Sequence, residues 1–165
     1  MPNAQFEGQL EPSIRSVWLE SANTVRTGAI VYYVSNADPD AAVFDSKEVG
    51  AVVESSPTTH IPPKFAGVVL CTSDNVTGPA FIDIQVPGPQ NIFTVQVAVG
   101  IDAGDGGVLT DAQDFLADGG AHAIATDEFY VLYDEDSANN PHGTSAISAS
   151  AGLVEALYTG VNRSS

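Results

Sequence analysis

The residues suited to catalysis or metal binding are few in this 165-residue chain, and they are scattered. The three histidines, His60, His122 and His142, each lie in or beside a turn-forming segment, and none has a second histidine at helical spacing. Neither a His-Glu-x-x-His zinc motif nor a Gly-x-Ser-x-Gly nucleophile elbow occurs. A serine–histidine–aspartate triad stays open, because triads are assembled in space. The pattern nevertheless favours unligated loop histidines.

The single cysteine and one glycine-rich segment also lack the neighbours that reactive sites need. Cys71 follows an apolar run and has no basic residue close to it in sequence, so a buried thiol is favoured over a catalytic one. One cysteine cannot form an internal disulfide. The segment Gly104-Asp105-Gly106-Gly107 lacks the Gly-Lys-Ser/Thr of a phosphate-binding loop, so we predict a tight turn between strands there.

One acidic segment has the oxygen ligands that calcium prefers. It contains Asp134-Glu135-Asp136, followed by Asn139 and Asn140. The spacing departs from an EF-hand loop, because position 138 is alanine and no glycine stands at the sixth position. We predict a solvated acidic loop, with an adventitious cation site as the alternative. No catalytic residue, metal ligand or cofactor is assigned, and the chain is predicted not to be an enzyme.

Negative charge dominates the composition and is unevenly distributed. The chain holds 21 Asp and Glu against 5 Lys and Arg, a net charge of −16. Residues 1–64 contain four of the five basic residues, whereas residues 65–162 contain 13 carboxylates and neither Lys nor Arg. Such a surface repels phosphate backbones, which excludes direct nucleic-acid binding. The acidity fits a saline habitat, or a protein whose less acidic N-terminal part docks on a partner; both interpretations stay open.

Most of the chain alternates between short apolar segments and turns rich in Gly, Pro, Asn and Asp. Residues 81–86 and 93–99 alternate apolar and polar side chains, as half-buried strands do. Thr110 and Gln113 fit a capping box, which predicts a short helix ending at Gly119-Gly120. Residues 74–79 read as a turn. Strands are predicted at residues 28–34, 49–53, 65–72, 81–86, 93–99 and 124–133, and residues 152–161 fit either a strand or a short helix.

This pattern predicts a mostly β protein, a small β-barrel or β-sandwich (β-tulip-like), with at most one or two short helices. Residues 1–16 are predicted to be an extended N-terminal arm, and residues 17–165 a single β domain. No apolar run approaches the roughly 18 residues that span a bilayer. The first residues lack the basic and apolar regions of a secretory signal, so we expect synthesis in a cytoplasm.

The order of several short motifs resembles that of the capsid decoration proteins (cement or head-stabilisation proteins) of tailed phages and related viruses. The resemblance covers about residues 25–161. The loops at residues 55–64 and 134–143 are longer than usual, and residues 129–133 have no counterpart. The motifs are Ala66-Gly67-Val68, the strand after Gly78-Pro79 that ends in Gln85-Val86-Pro87-Gly88, the turn Ala103-Gly104-Asp105, residues 151–156, and residues 27–32 as the opening strand.

The resemblance implies a virion structural protein without catalytic residues. It would bind the outer surface of an assembled capsid and bridge neighbouring major capsid subunits, with self-association on the shell, a trimer being favoured. Many copies would then add modest interface energies. The alternatives are another virion β-module, such as a head-fibre base, a tail protein or an adhesin domain, and, less favoured, a small hydrolase.

The N-terminal part supplies the residues expected to dock on the capsid. Trp and Arg are enriched at interface centres, so we expect Arg15, Trp18, Leu19 and Arg26 to make the contact, with an ordinary core position as the alternative for Trp18. The arm is expected to pair as an added strand with a capsid edge. Deleting residues 1–16 is then expected to leave a folded domain that no longer binds shells.

Overall fold

The structure is a computed structural model that describes residues 13–20, 23–33, 52–54, 65–70, 75–88, 90–110, 114–123, 127–142 and 151–159. This part of the chain contains twelve β-strands and no helix, which confirms the predicted mostly β class. The strands are β1 (Ile14–Leu19), β2 (Thr24–Val25), β3 (Ile30–Tyr33), β4 (Val52–Glu54), β5 (Phe65–Val69), β6 (Val76–Thr77), β7 (Ala80–Gln85), β8 (Ile92–Ala98), β9 (Asp105–Val108), β10 (Ala117–Ala121), β11 (Phe129–Val131) and β12 (Ala151–Tyr158).

The strands form a small barrel with a second sheet packed on it. Strands β1, β4, β3, β5 and β7 follow one another around the barrel. Strand β1 closes it by pairing in parallel with β4 and antiparallel with β7. The second sheet has the order β10, β9, β11, β12, β8, and β2 pairs with β6 in a short ribbon. The barrel strands therefore all precede β8 in the chain, and the second sheet is formed by β8 and the strands that follow it.

Two hydrophobic cores result from this arrangement. The barrel interior contains Val17 and Leu19 of β1 with Val31 of β3. The second core lies between the barrel wall and the second sheet, and Ile30 and Tyr32 of β3 belong to it. Strand β3 is thus buried on both faces, which explains why its sequence is apolar at consecutive positions. From the second sheet, the second core takes mainly Phe93, Val95, Val97, Phe129, Val131, Val154, Ala156 and Tyr158.

Strand β5 contributes to both cores as well, and it contains a β-bulge. Phe65 and Val68 belong to the second core, whereas Ala66 and Val69 belong to the barrel interior. Strict alternation would place side chains three residues apart on opposite faces. The pairing of β5 with β3 shifts register at this point, next to Gly67, which has a φ of +153°. The bulge therefore reverses the alternation, which places Phe65 and Val68 on one face and Ala66 and Val69 on the other.

Three predictions about the glycine-rich and helical segments are wrong. The predicted helix after Thr110 is absent: β10 pairs there with β9, and the buried Leu116 bridges Val97 of β8. The predicted tight turn at residues 104–107 is largely strand β9. A side chain on Gly106 would overlap the carboxylate of Asp127, so this glycine allows close packing within a sheet. The predicted turn at residues 74–79 contains strand β6.

The remaining segment predictions have clear outcomes. Strands lie within the six predicted segments or at their edges, and the open case at residues 152–161 is strand β12. Strand β1 begins at Ile14, so the boundary predicted after residue 16 falls inside a strand. Residues 1–12 of the expected arm, and residues 111–113 of the capping box, lie outside the described residues. A truncation that tests the arm should therefore end at residue 12.

The bulge yields a prediction about stability. We expect Gly67→Ala to lower the free energy of unfolding by about 2–4 kcal/mol, because a Cβ would overlap the carbonyl oxygen of Gln85 at a positive φ. The matched control is Gly100→Ala, where φ is +87° and no atom lies within 4 Å of an added Cβ. This control should lose only about 1 kcal/mol. Urea denaturation measures both, and equal losses would refute the steric role of Gly67.

Candidate docking surface

The structure separates the four residues that were expected to dock. Arg15 is exposed on β1. Trp18 is 7 % exposed, and Leu19 has no exposed surface because it points into the barrel interior. The expectation for Leu19 is therefore wrong: adjacent residues of a strand face opposite sides, and this one faces the core.

Arg26 interacts electrostatically with a carboxyl group of the same chain. It lies half-buried after β2. Burial raises the pKa of the Asp114 carboxyl, and the positive charge of Arg26 opposes part of that rise. The guanidinium group is therefore electrostatically coupled to a carboxyl group of the chain itself, which makes Arg26 a weaker docking candidate than Arg15.

The outward-facing side chains of β1 and β7 form a ladder of three directly paired positions. At one end Trp18 faces Phe81, and the two rings meet edge to face with centroids 4.8 Å apart. In the middle, the hydroxyl of Ser16 donates a hydrogen bond to the carboxylate of Asp83. We call this surface the outer β1–β7 face, and its members are Ile14, Ser16, Trp18, Phe81, Asp83 and Gln85.

Two large apolar side chains of this face are exposed. Ile14 is 63 % exposed and Phe81 is 54 % exposed. They occupy opposite ends of the ladder, four strand positions or roughly 13 Å apart. The Trp18 ring packs against the Phe81 ring, and this contact restricts the Phe81 side chain although it is about half exposed to solvent. A contiguous exposed apolar patch marks a candidate contact surface, whereas here Ser16 and Asp83 lie between the two apolar side chains.

The topology turns this face away from the second sheet. Around the barrel, β1 lies across from β3 and β5. The outward side chains of β3 and β5 are those that pack on the second sheet. The outer surface of β1 therefore points in the opposite direction, and β7 continues that surface on one side. At its Gln85 end β7 reaches the second sheet, because the buried Gln85 amide donates a hydrogen bond to the carbonyl oxygen of Ile92 in β8 at 2.9 Å.

The charged residues are also distributed unequally between the barrel and the second sheet. Among the described residues, positions 13–88 contain three carboxylates and the two guanidinium groups of Arg15 and Arg26. Described positions 90–159 contain ten carboxylates and neither Lys nor Arg. Counted over the residues that the structure describes, the barrel layer is thus nearly neutral and the layer of the second sheet strongly acidic. Within the described part, Arg15 forms no ion pair; the ion pairs found there involve His122 and His142.

The two described histidines lie in separate contacts. His122 Nδ1 is 3.6 Å from Asp127 Oδ2, and its ring meets Tyr130 edge to face at 5.2 Å. The same Asp127 oxygen accepts a hydrogen bond from the backbone N–H of Ala123, which ties the loop end together. His142 Nε2 lies 3.7 Å from a carboxylate oxygen of Glu155. His60 and Cys71 lie outside the described residues.

The acidic segment after β11 binds the chain's own backbone. Asp134 Oδ1 accepts a hydrogen bond from the N–H of Ala103 at 2.7 Å, and Glu135 Oε1 accepts one from the N–H of Gly100 at 3.1 Å. Glu135 is only 7 % exposed, so the prediction of a solvated loop is wrong for this residue. In the described residues, no three His, Cys, Asp or Glu side chains form a group that could hold a metal ion.

A buried asparagine fixes the same segment to the second sheet. The side-chain amide of Asn140 donates to the carbonyl oxygens of Glu135 at 3.3 Å and Leu153 at 2.9 Å. Its side-chain oxygen accepts the backbone N–H of His142 at 3.1 Å. The polar side chains that resembled a calcium loop in sequence therefore connect β11, β12 and the β8–β9 turn.

One buried polar cluster had no counterpart in the sequence analysis. Tyr32 is fully buried, and Glu128 is 1 % exposed, with one oxygen 3.4 Å from the N–H of Leu109. Burial raises the pKa of Tyr32, and the carboxylates of Glu128 and Asp114 raise it further. These residues lie far apart in sequence, so no local motif could reveal them. A group without solvent access cannot meet a substrate, which indicates a structural role.

Comparison with known proteins identified no relative of this chain among family models or curated proteins. Within the described residues, no helix is long and apolar enough to cross a membrane. Among the described surfaces, we take the outer β1–β7 face as the candidate functional surface because Ile14 and Phe81 are exposed on it.

The acidic segment yields a second prediction. We expect Glu135→Ala to lower the free energy of unfolding by about 1.5–3 kcal/mol, since it removes a charged acceptor from the N–H of Gly100. Asp136→Ala, at an exposed neighbour of the same charge, should change it by no more than about 0.5 kcal/mol. Urea denaturation compares them. Equal values for the two variants would show that Glu135 behaves as a solvated side chain.

The buried tyrosine yields a third prediction, on pH. Because the folded state raises the pKa of Tyr32, the unfolded chain releases this proton first, and the free energy of unfolding should fall above about pH 10. Tyr158 contributes in the same direction, since burial and then Glu128 raise its pKa. We expect Tyr32→Phe to flatten the fall and the exposed Tyr130→Phe to leave it unchanged. Urea titrations from about pH 8 to 11 test this, and identical slopes in all three proteins would contradict it.

Proposed function

We propose that this chain is a virion structural protein that binds the outer surface of an assembled capsid and stabilises the shell by bridging neighbouring major capsid subunits. One observation carries the proposal: Ile14 and Phe81 are exposed on the barrel wall, whose described residues include three carboxylates and two guanidinium groups, whereas the described residues of the other layer include ten carboxylates and neither Lys nor Arg. A protein with two such sides suits one-sided attachment to a large surface.

The proposed orientation puts the barrel wall against the shell and the second sheet toward solvent. Ionic screening has a range of about 8 Å at physiological salt, so the local charge of a face decides what it approaches, more than the net charge of −16. The barrel side can therefore meet a protein surface closely. The acidic side keeps a crowded shell soluble, because equal charges on neighbouring particles repel.

The resemblance to decoration proteins supports the same proposal. Its motifs fall on strands of both layers: residues 27–32 reach into β3, residues 65–70 span β5, and residues 151–156 begin β12. The motif Ala103-Gly104-Asp105 leads into β9. Strands β3, β5 and β12 contribute side chains to the second core. The likeness therefore concerns residues that determine the fold, and the function comes from it only as a proposal.

The proposed partners are the major capsid protein and further copies of this chain, with a trimer favoured, and neither nucleic acid nor a membrane. Many copies on a symmetric shell would add individually modest contacts, and linked contacts gain strength from effective concentration. The protein would act without catalysis, so the buried carboxylates and the two described histidines contribute to the stability of the fold alone.

The direct test of the proposal, and the fourth prediction, is the composition of the particle. We expect quantitative mass spectrometry of purified virions to find this chain in many copies, in a fixed ratio to the major capsid protein. A non-structural protein of the same virus serves as the control for carry-over. Cryo-electron microscopy should place the chain on the outside of the shell.

Two results would contradict the proposal. Absence of the chain from purified particles would refute a virion role altogether. Density for it confined to the tail or to a fibre base would refute capsid decoration and favour the alternative of another virion β-module.

A further inference from the structure

We infer that Asp118-Gly119, on the edge strand β10, is a site of spontaneous covalent modification at which the aspartate isomerises to isoaspartate. The chain contains two Asp-Gly dipeptides, Asp105-Gly106 in β9 and Asp118-Gly119 in β10, and the structure describes both. The fold protects the first of them and leaves the second accessible. This modification concerns the chemistry of the chain itself and is independent of the proposed function.

The reaction needs only the chain and water. The backbone nitrogen of the glycine attacks the side-chain carboxyl carbon of the aspartate, a C–N bond forms, and the carboxyl hydroxyl leaves with the proton of the nitrogen as water. Water then hydrolyses the resulting five-membered succinimide at one of its two carbonyl groups. Opening at one carbonyl restores aspartate, and opening at the other routes the main chain through the side-chain carbon, which is isoaspartate. Glycine favours the attack because no side chain shields its nitrogen and its backbone turns freely.

Strand β10 leaves the second dipeptide accessible. It is the edge strand of the second sheet, so among the described strands it pairs with β9 alone. Its residues from Asp118 to Ala121 are all exposed. The pairing with β9 is also irregular, because three steps along β10 match two steps along β9 between Asp118 and Ala121. An irregular, exposed edge strand opens locally at a lower free energy than a central strand, so its backbone reaches the geometry of attack more often.

The Asp118 carboxylate is already turned toward the peptide group that attacks it. Its Oδ1 accepts a hydrogen bond from the N–H of Gly120 at 2.6 Å. Such a bond, from an aspartate oxygen to the N–H two residues later, is an Asx-turn and folds the side chain over the intervening peptide. That peptide carries the Gly119 nitrogen. Gly120 has a φ of +72°, a backbone conformation that glycine adopts without strain.

The surroundings of Asp105-Gly106 are the opposite. Strand β9 lies between β10 and β11 and pairs with both. Gly106 is buried, and the carboxylate of Asp127 lies so close that an added Cβ would overlap it. The Asp105 carboxylate is turned back along the chain, because its Oδ2 accepts the N–H of Asp102 at 2.9 Å. Attack by the Gly106 nitrogen therefore requires the opening of a strand that is paired on both sides.

Isomerisation at Asp118 would alter one edge of the second sheet. Isoaspartate adds one methylene group to the main chain, which displaces Asp118 from its partner Gly107 in β9. No residue of β10 belongs to either hydrophobic core, so the barrel and the other four strands of the sheet keep their packing. The product retains a carboxylate and the same atoms. An aged molecule would therefore have the same mass and charge and a changed β10.

The experiment, and the fifth prediction, ages the full-length folded protein at neutral pH in water enriched in heavy oxygen. Hydrolysis of each succinimide places a solvent oxygen at the reacting residue, and protein isoaspartyl methyltransferase labels isoaspartate separately. Chymotrypsin cleaves after Leu109 and Leu116, between the two dipeptides, whereas trypsin finds neither Lys nor Arg in residues 65–162. We expect Asp118 to react about tenfold or more faster than Asp105, because the edge strand opens more readily than the central one.

Two controls separate the effect of the fold from that of the dipeptide. In guanidinium chloride the strand pairing is lost, so the two dipeptides should react at rates that agree within about twofold. Asp118→Glu keeps the carboxylate but would need a six-membered ring, so it should abolish labelling at position 118 and leave labelling at Asp105 unchanged. The matched variant Asp105→Glu should leave the rate at Asp118 unchanged, and far-ultraviolet circular dichroism verifies that both variants are folded.

Three results would overturn the inference: equal rates at the two dipeptides of the folded protein, faster reaction at Asp105, or labelling of neither in the folded protein when both react in guanidinium chloride. The measurement uses neither a capsid nor any other partner. Its outcome is therefore distinguishable from success or failure of the proposed function.

Discussion

The whole arrangement depends on the burial of β3 and β5 on both faces. These two strands form part of the barrel wall, and their outward side chains also fill the core against the second sheet. Neither face meets water, so every position along them must be apolar or small. Each large side chain buried there contributes roughly 1.5–3 kcal/mol of hydrophobic stabilisation. The bulge at Gly67 reverses the alternation of β5, so that Phe65 and Val68 both face the second sheet.

The same constraint decides which surface stays free. Because β3 and β5 are covered by the second sheet, β1 and β7 on the other side of the barrel keep exposed side chains on their outer face, namely Ile14 and Phe81, in the described structure. That face presents the exposed side chains of Ile14 and Phe81, while most carboxylates of the described residues belong to the other layer. The two-sided character behind the proposed attachment to a shell is therefore a consequence of how the layers pack.

Several carboxylates of this protein accept hydrogen bonds from the backbone and so stabilise the fold. Asp134 and Glu135 accept hydrogen bonds from backbone N–H groups of the β8–β9 turn, and Asp127 accepts one from Ala123. A buried carboxylate needs such donors, because its desolvation is otherwise strongly unfavourable. Acidic clusters that resembled a cation loop in sequence are thus structural elements, and part of the net negative charge does not belong to the outer surface.

Sequence alone determined the β class, most strand positions and the uneven charge, because alternation, β-branching and composition are local properties. It also correctly offered a core position for Trp18. Tertiary structure decided the rest: residues 104–107 and 117–121 are strands because neighbouring strands supply the pairing that their glycines do not favour locally. It also decided that Leu19 faces the core and Ile14 the solvent. A period of two says that adjacent residues face opposite sides, and only closure of the barrel says which side is inside.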